Sequence, residues 1–312
     1  MRIVSLLASA TEIVCALGAG DTLVGRSHEC DNPPWVQSLP RCSEPAFDIS
    51  RPSREIDAEV KRRLRSGEPL YRIDNRLIRQ LAPDLIIAQS HCEVCAVTPA
   101  DVVRSGCEGA PAPVLGLSAG SIEEIYKSIR EIARVIGREP EGRAVIERER
   151  RRLDAVRRKA ADRIRRSVVV LEWTDPIFAT GNWVPELVEA ANGELLIGRK
   201  NEYSRAITGE QIASADPEFL IVAPCGFNLQ RACAERPVLE SHTWWHGLSA
   251  VRHGRIAFAD GNLFFNRSGM TIARTAEILA EILHGLVFGA ATQGVHWRWT
   301  EQAASPCHST PG

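Results

Sequence analysis

The chain has 312 residues, a formal net charge of −1 and 44% hydrophobic side chains, which is enough for two ordinary folding units and excludes a disordered or collagen-like polymer. Thirty-eight basic side chains against thirty-nine acidic ones leave no global field to hold nucleic acid or an anionic membrane, so no nucleic-acid partner is expected. Nine cysteines make an odd total, too sparse for a disulfide scaffold of this length and more than an average cytosolic domain carries.

The first element reads as a strand at 2–7, followed by a turn of small residues at 8–10 and a helix at 11–17. Its apolar run is too short for a secretory signal, and Val14 before Cys15 does not form a lipoprotein cleavage site. No stretch reaches the roughly 20 apolar residues that span a bilayer, so no membrane insertion is expected. On these grounds the expected location is the cytoplasm, where thiols stay reduced.

Short β-branched runs at 22–26, 84–89 and 113–117 read as further buried strands, with helices at 75–81 and 98–103 between them. That alternation predicts a parallel α/β sheet. A polar, Pro-containing insertion at 42–72 interrupts it and holds one charged helix at about 54–65. At 121 the texture changes. Ser121 and Glu124 have the spacing of a capping box, and apolar residues at 122, 125, 129, 132, 133 and 136 follow a helical period. A second, strongly basic helix runs on to about 164, long enough to cross two lobes and read as a solvated face with internal ion pairs.

A second α/β half follows, with strands at 167–173, 218–223 and 255–259 and helices at 185–191, 209–215 and 271–286. Each half has its own apolar strands and helices and so can bury its own core. The expected fold class is α/β, with two Rossmann-like lobes of parallel sheet bridged by a long rigid helix. The boundaries are 1–120 for the first lobe, 121–166 for the bridge and 167–286 for the second, with 287–312 as a poorly ordered tail.

Ligands in open parallel sheets sit beyond the carboxyl ends of the strands, so the loops at 8–12, 27–31, 90–95, 172–176, 224–228 and 260–267 are the places to search. Four cysteines fall there. Cys92 and Cys95 form a Cys-x-x-Cys beside His91, and with Cys30 and Cys225 they could ligate a soft metal ion or an iron–sulfur cluster; a redox dithiol and plain packing are the other readings. Trp173 and Trp183 flank an apolar loop suited to covering a flat macrocycle. Phosphate loops, nucleophile elbows and dinucleotide fingerprints are absent, and no catalytic residue is assigned.

The runs RIVSLLASATEIV at 2–14, LVGRS at 23–27, CDNPP at 30–34, LAPDLIIA at 81–88 and ADPEFLIV at 215–222 together resemble the iron-siderophore and vitamin B12 substrate-binding proteins of ABC importers, and most closely the cobalamin-binding branch. The resemblance covers about residues 2–285. It implies a non-catalytic protein that holds a corrinoid such as cobalamin, or a related metal chelate, between two lobes, with an ABC permease as a partner. Carried onto this chain, it puts Ser9, Ala10, Thr11, His28, Cys92, Trp173, Phe178, Trp183, Phe227 and Phe265 on the cleft wall. Two alternatives stay open: an intracellular metal- or cluster-binding protein built on Cys30, Cys92, Cys95 and Cys225, and a redox enzyme on the same scaffold.

Overall fold

The computed structural model describes residues 1–91, 94, 96–107 and 112–300, the side chains of 106 and 107 aside. In chain order the first half gives β1 (Ile3–Ser5), α1 (Ala8–Ala16), β2 (Leu23–Arg26), β3 (Ser43–Pro45), α2 (Ser53–Ser66), β4 (Tyr71–Ile73), α3 (Asn75–Leu81), β5 (Leu85–Gln89), α4 (Pro99–Val102) and β6 (Val114–Leu117). Two helices follow, α5 (Ile122–Val135) and α6 (Glu139–Ala160). The second half begins with β7 (Arg166–Thr174), β8 (Ile177–Ala179), α7 (Val184–Ala190), β9 (Gly193–Leu195), β10 (Arg205–Ala206), α8 (Gly209–Ala215) and β11 (Phe219–Val222). It continues through α9 (Leu229–Ala234), α10 (Arg236–Glu240), α11 (Ser249–Arg252), β12 (Ile256–Ala259), α12 (Ile272–His284) and β13 (Trp297–Trp299).

The first sheet has the order β2-β1-β5-β6 and is parallel throughout. The second has the order β10-β8-β7-β11-β12-β13, with β9 also against β7. Its centre β7-β11-β12 is parallel, and β8, β10 and β13 join antiparallel. Strands β5, β11 and β12 are buried at every residue, which is why they read as unbroken apolar runs: a parallel sheet is covered on both faces. The insertion is a unit of its own, with β3 and β4 forming a small antiparallel sheet at its base and α2 between them.

Helix α5 buries Ile122, Ile125, Ile129, Ile132 and Ala133. Its start is capped by Ser121, whose Oγ accepts from Glu124 N at 3.2 Å. Only half of the predicted box forms, because the Glu124 carboxylate accepts from Gly120 N at 2.6 Å instead. Helix α6, with 22 residues, spans about 33 Å at 1.5 Å per residue. Its outer charges pair as Arg151–Glu147, Arg157–Asp154 and Arg150–Glu123. On its inner side Arg152 forks onto Glu277 of α12 at 3.1 and 3.0 Å.

The lobes do not bury independent cores. One buried cluster runs from Ile3, Ile13 and Leu17 through Ile129 and Ile132 of α5 and Leu153 and Val156 of α6 to Val168, Leu187 and Leu279. The bridging helices are therefore shared core rather than a connector, and only the outer sheet faces keep separate clusters. Among the described residues no helix is long and apolar enough to cross a membrane.

The tail is also ordered as far as it is described. Helix α12 stops at Gly285, which takes φ +66°, a conformation that favours glycine. The chain then returns to add β13 along β12. Trp297 is 1% exposed and its indole N–H donates to Thr292 Oγ1 at 3.1 Å; Glu281 of α12 accepts the Thr292 N–H at 2.9 Å. Small and polar residues suggest disorder only until these partners, distant in sequence, are known. Residues 301–312 of the expected tail lie outside the described ones. Replacing Trp297 by Ala is expected to cost about 3–5 kcal/mol in urea unfolding, as for a buried aromatic; a loss below about 1 kcal/mol would show that the tail is not part of the folded unit.

Candidate cleft between the lobes

The loops beyond the carboxyl ends of the two sheets meet, and the densest meeting is polar. Arg267, in the loop after β12, reaches into the first lobe: Nη1 lies 2.7 Å from Asp31 Oδ1 and 3.0 Å from Glu12 Oε1. Asn262 Nδ2 donates to Asp31 Oδ2 at 2.8 Å, and Asn32 Nδ2 donates to Glu12 at 2.9 Å. Burial opposes the charge on Arg267, but Glu12 and Asp31 outweigh it and raise the guanidinium above its ordinary value. Burial also pushes the Glu12 carboxyl up, against the pull of Arg267 and Asn32. Glycine is required at 269, since a Cβ there would come within 2.9 Å of Ser9 Cβ across the junction.

Beside this cluster stands Glu29. Its side chain keeps 32% of its surface, yet desolvation raises its pKa to about 7, with Asp31 adding to the rise and Arg267 opposing it. Partial exposure with strong desolvation is what the wall of a narrow crevice produces. His28 lies 3.8 Å away through Nε2, its ring 5.5 Å from Tyr71. Its Nδ1 is buried without a partner among the described residues. Burial, then Arg41 and Arg26, lower its pKa to about 4, so the ring is neutral.

At the other end, His91 Nε2 sits 2.9 Å from Asn182 Oδ1, and Tyr203 Oη donates to the His91 carbonyl at 2.8 Å. The second lobe supplies an aromatic wall, with Trp173 and Phe227 at 5.1 Å between centroids. Helix α2 of the insertion lies over that wall. Trp173 Nε1 donates to Ser53 O at 3.3 Å, Lys61 stands 6.0 Å over Phe178, and Ser53 Oγ donates to Glu235 at 2.8 Å.

Of the residues expected on the cleft wall, His28, Trp173 and Phe178 lie at the junction, and Phe227 stands behind Trp173 at 4% exposure, in the buried cluster that Ile56 enters and under Arg231. Ala10, Thr11 and Phe265 do not face it: each is 0% exposed, and Thr11 Oγ1 donates inward to Ser5 Oγ at 2.8 Å. Trp183 belongs to the shared core at 6% exposure, and Ser9 is a packing contact against Gly269. Cys92 and Cys95 lie outside the described residues. Cys30 is corrected from ligand to core: it is 1% exposed, its Sγ lies 3.0 Å from Thr11 Oγ1 and 3.3 Å from Ser27 Oγ, and burial pushes its thiol up. A protonated, enclosed thiol is a poor metal ligand. Cys225 is half-buried, and no group of three or more His, Cys, Asp or Glu able to hold a metal occurs among the described residues.

The residues not singled out from the sequence are Arg267, Glu12, Glu29 and Asp31. Glu29, Asp31 and Arg267 fall in post-strand loops and Glu12 on α1 just beyond β1; a charge beside apolar runs is the available signal, but such charges are common and their pairing across two lobes has no local signature.

Two sheet-based lobes fixed on a helical back, with post-strand loops facing each other, define a two-lobed ligand-binding protein. The chain belongs to the periplasmic binding protein family, whose model matches residues 3–263. It is therefore a binding protein and not an enzyme, which sets aside the redox alternative. A curated relative, the uncharacterized ABC transporter substrate-binding lipoprotein YvrC of Bacillus subtilis, is 24% identical over 289 residues, 91% of this chain and 80% of the relative. Among solved structures, a periplasmic heme binding protein from Pseudomonas aeruginosa has a TM-score of 0.71 at 19% identity, covering 96% of this chain and 98% of that one. The periplasmic vitamin B12 binding protein BtuF of Vibrio cholerae has 0.64 at 21% identity, covering 90% and 95%.

These findings overturn the cytoplasmic placement: the family is periplasmic and the Bacillus subtilis relative is a lipoprotein. The run weighed as a signal is β1 itself, fully buried in the first sheet, so its apolar residues serve the core and say nothing of export.

The pH dependence of stability follows from Glu29 and His28. Folded Glu29 holds its proton to about pH 7 against an ordinary 4.5, so its contribution falls as pH rises through that window. Folded His28 stays neutral down to about 4 against an ordinary 6.5, so its contribution rises as pH rises between those values. The slopes oppose each other. Glu29→Gln leaves the His28 slope alone, and its stability relative to the parent should rise between pH 5 and 7 in urea unfolding, by an amount moderated by solvent screening; an unchanged difference would contradict the placement of Glu29.

Proposed function

We propose that this protein is the substrate-binding component of an ABC importer, acts outside the cytoplasmic membrane beside its permease, and holds a corrinoid or related metal chelate of neutral or positive charge. The proposed division is a first lobe of 1–120, a bridge of 121–166 and a second lobe of 167–286, with the ligand between the lobes.

The observation that carries the choice of ligand is the sign of the cleft floor. Three carboxyl groups, Glu12, Glu29 and Asp31, stand around one cation, Arg267, which is already paired with Glu12 and Asp31, and Glu29 adds its charge only above about pH 7. The next cations are turned away, Arg26 to the carbonyls of Ser27 and Gln37 and Arg41 to Glu44. A dicarboxylate porphyrin would add negative charge to this floor, where the cations just named already have partners, a costly arrangement away from water. The carboxamide rim of a corrinoid offers N–H donors instead, which Glu29 and Asp31 can accept. Neutral His28, its Nδ1 buried, can offer only Nε2 to the ligand, as a lone pair or as an N–H. Trp173, Phe178 and Phe227 supply flat apolar area for the ring.

The alternative of an intracellular metal or cluster site loses Cys30, which is turned into the core. Titration with hydroxocobalamin and with hemin, followed by absorbance and tryptophan fluorescence, tests the proposal. Corrinoid should bind at least about tenfold more tightly, a difference of about 1.4 kcal/mol, and Glu29→Gln should narrow the gap. Tighter binding of hemin would overturn it.

A further inference from the structure

The insertion at 42–72 occupies the wall that a ligand would use. Its base is fastened to the first lobe: β3 pairs with β4, Cys42 N donates to Arg26 O at 2.7 Å, and Ala46 N donates to Leu70 O at 2.8 Å. Its helix is self-supporting, with Arg63 and Arg62 on Glu59 and Lys61 on Asp57. What docks on the second lobe is narrow. Ile56 enters the buried cluster of Leu171, Ile177 and Phe227, with Phe47 and Val60 against it. Around it are Ser53 Oγ on Glu235, the Trp173 indole on Ser53 O, and Arg231 on Arg51 O at 2.6 Å. An ion pair across this contact, Arg54–Asp175 at 2.8 Å, has its arginine 75% exposed, and exposed pairs of this kind hold little.

The lobes themselves have no comparable freedom. The buried Arg267 cluster ties them at the cleft floor, and α5 and α6 form one core with both. We infer that the α2 insertion is an intramolecular strap over the aromatic wall of the second lobe, and that its displacement, rather than rotation of the lobes, admits the ligand. The inference rests on the cleft being the ligand site. Ile56 and the Ser53 carbonyl then stand in for the ligand, covering Phe227 and sharing the Trp173 indole N–H, which also reaches Asp175 O at 3.2 Å, and a ligand must outcompete them.

Hydrogen–deuterium exchange on the full chain tests this in two arms. In the first, hydroxocobalamin should raise exchange at 53–60 several-fold while 145–156 and 262–267 keep their protection; added protection at 53–60, or loss at 262–267, would overturn the strap. The second arm needs no ligand. Ile56→Asp with Arg54→Ala should raise exchange at 171–178 and 225–231 several-fold in the empty protein, with Arg54→Ala alone giving a smaller rise should the double variant fail to fold. Unchanged exchange at those segments would also overturn it. If the released wall appears in the variants but hydroxocobalamin binds none of the proteins, the strap stands and the corrinoid reading falls.

Discussion

Arg267 leaves the loop after β12, crosses into the opposite lobe, and lies at 4% exposure between Asp31 and Glu12. An arginine so enclosed is tolerable only because both carboxylates and Asn262 meet its donors, and the dependence is mutual. Without the guanidinium, buried Glu12 would lose its cation while Asp31, 36% exposed, could turn to water, so the loss should stay below the about 3–5 kcal/mol of a fully buried broken pair. The register between the lobes follows from this contact. It brings the loop after β2 against the loop after β12, and so leaves the His28 and Glu29 side chains 12% and 32% exposed beside the junction. The close approach of Gly269 to Ser9 is part of the same junction.

The helical back reinforces the junction from the other side. Helix α6 packs on α5 and on α12, and the Arg152 fork to Glu277 joins it to the second lobe. With floor and back both fixed, the freedom needed to accept a ligand has to lie elsewhere. The insertion has the right character: a firm base on one lobe, a helix that holds its own shape, and a small contact on the other.

Much of the fold was legible because burial leaves a periodic trace. Runs such as LIIA at 85–88 and FLIV at 219–222 mark parallel strands, and the isoleucines of α5 mark one face of a helix. The insertion helix was legible as a helix but not as a strap, since one isoleucine among charges looks like a solvated element; its partner Trp173 is more than a hundred residues away. Trp297 illustrates the same limit, because small and polar neighbours hide a side chain whose partners are on α12. Cys30 failed in the opposite direction. Its loop was correctly placed at the junction, but whether a side chain there points to the cleft or to the core depends on turn geometry, and Thr11 and Ser27 draw the thiol inward. The floor charges escaped notice for a related reason: Glu12 and Arg267 are 255 positions apart, and neither is unusual alone.

Fixed lobes and a displaceable insertion share one cleft in this reading, and a crystal structure of the protein soaked or grown with hydroxocobalamin is the decisive test. Arg267 should remain within hydrogen-bond reach of Glu12 and Asp31, with α2 lifted from Trp173 and the corrinoid against Trp173 and Phe227, Glu29 on its amide rim. A complex in which the lobes have rotated apart at Arg267 while Ser53 still covers Trp173 would contradict it.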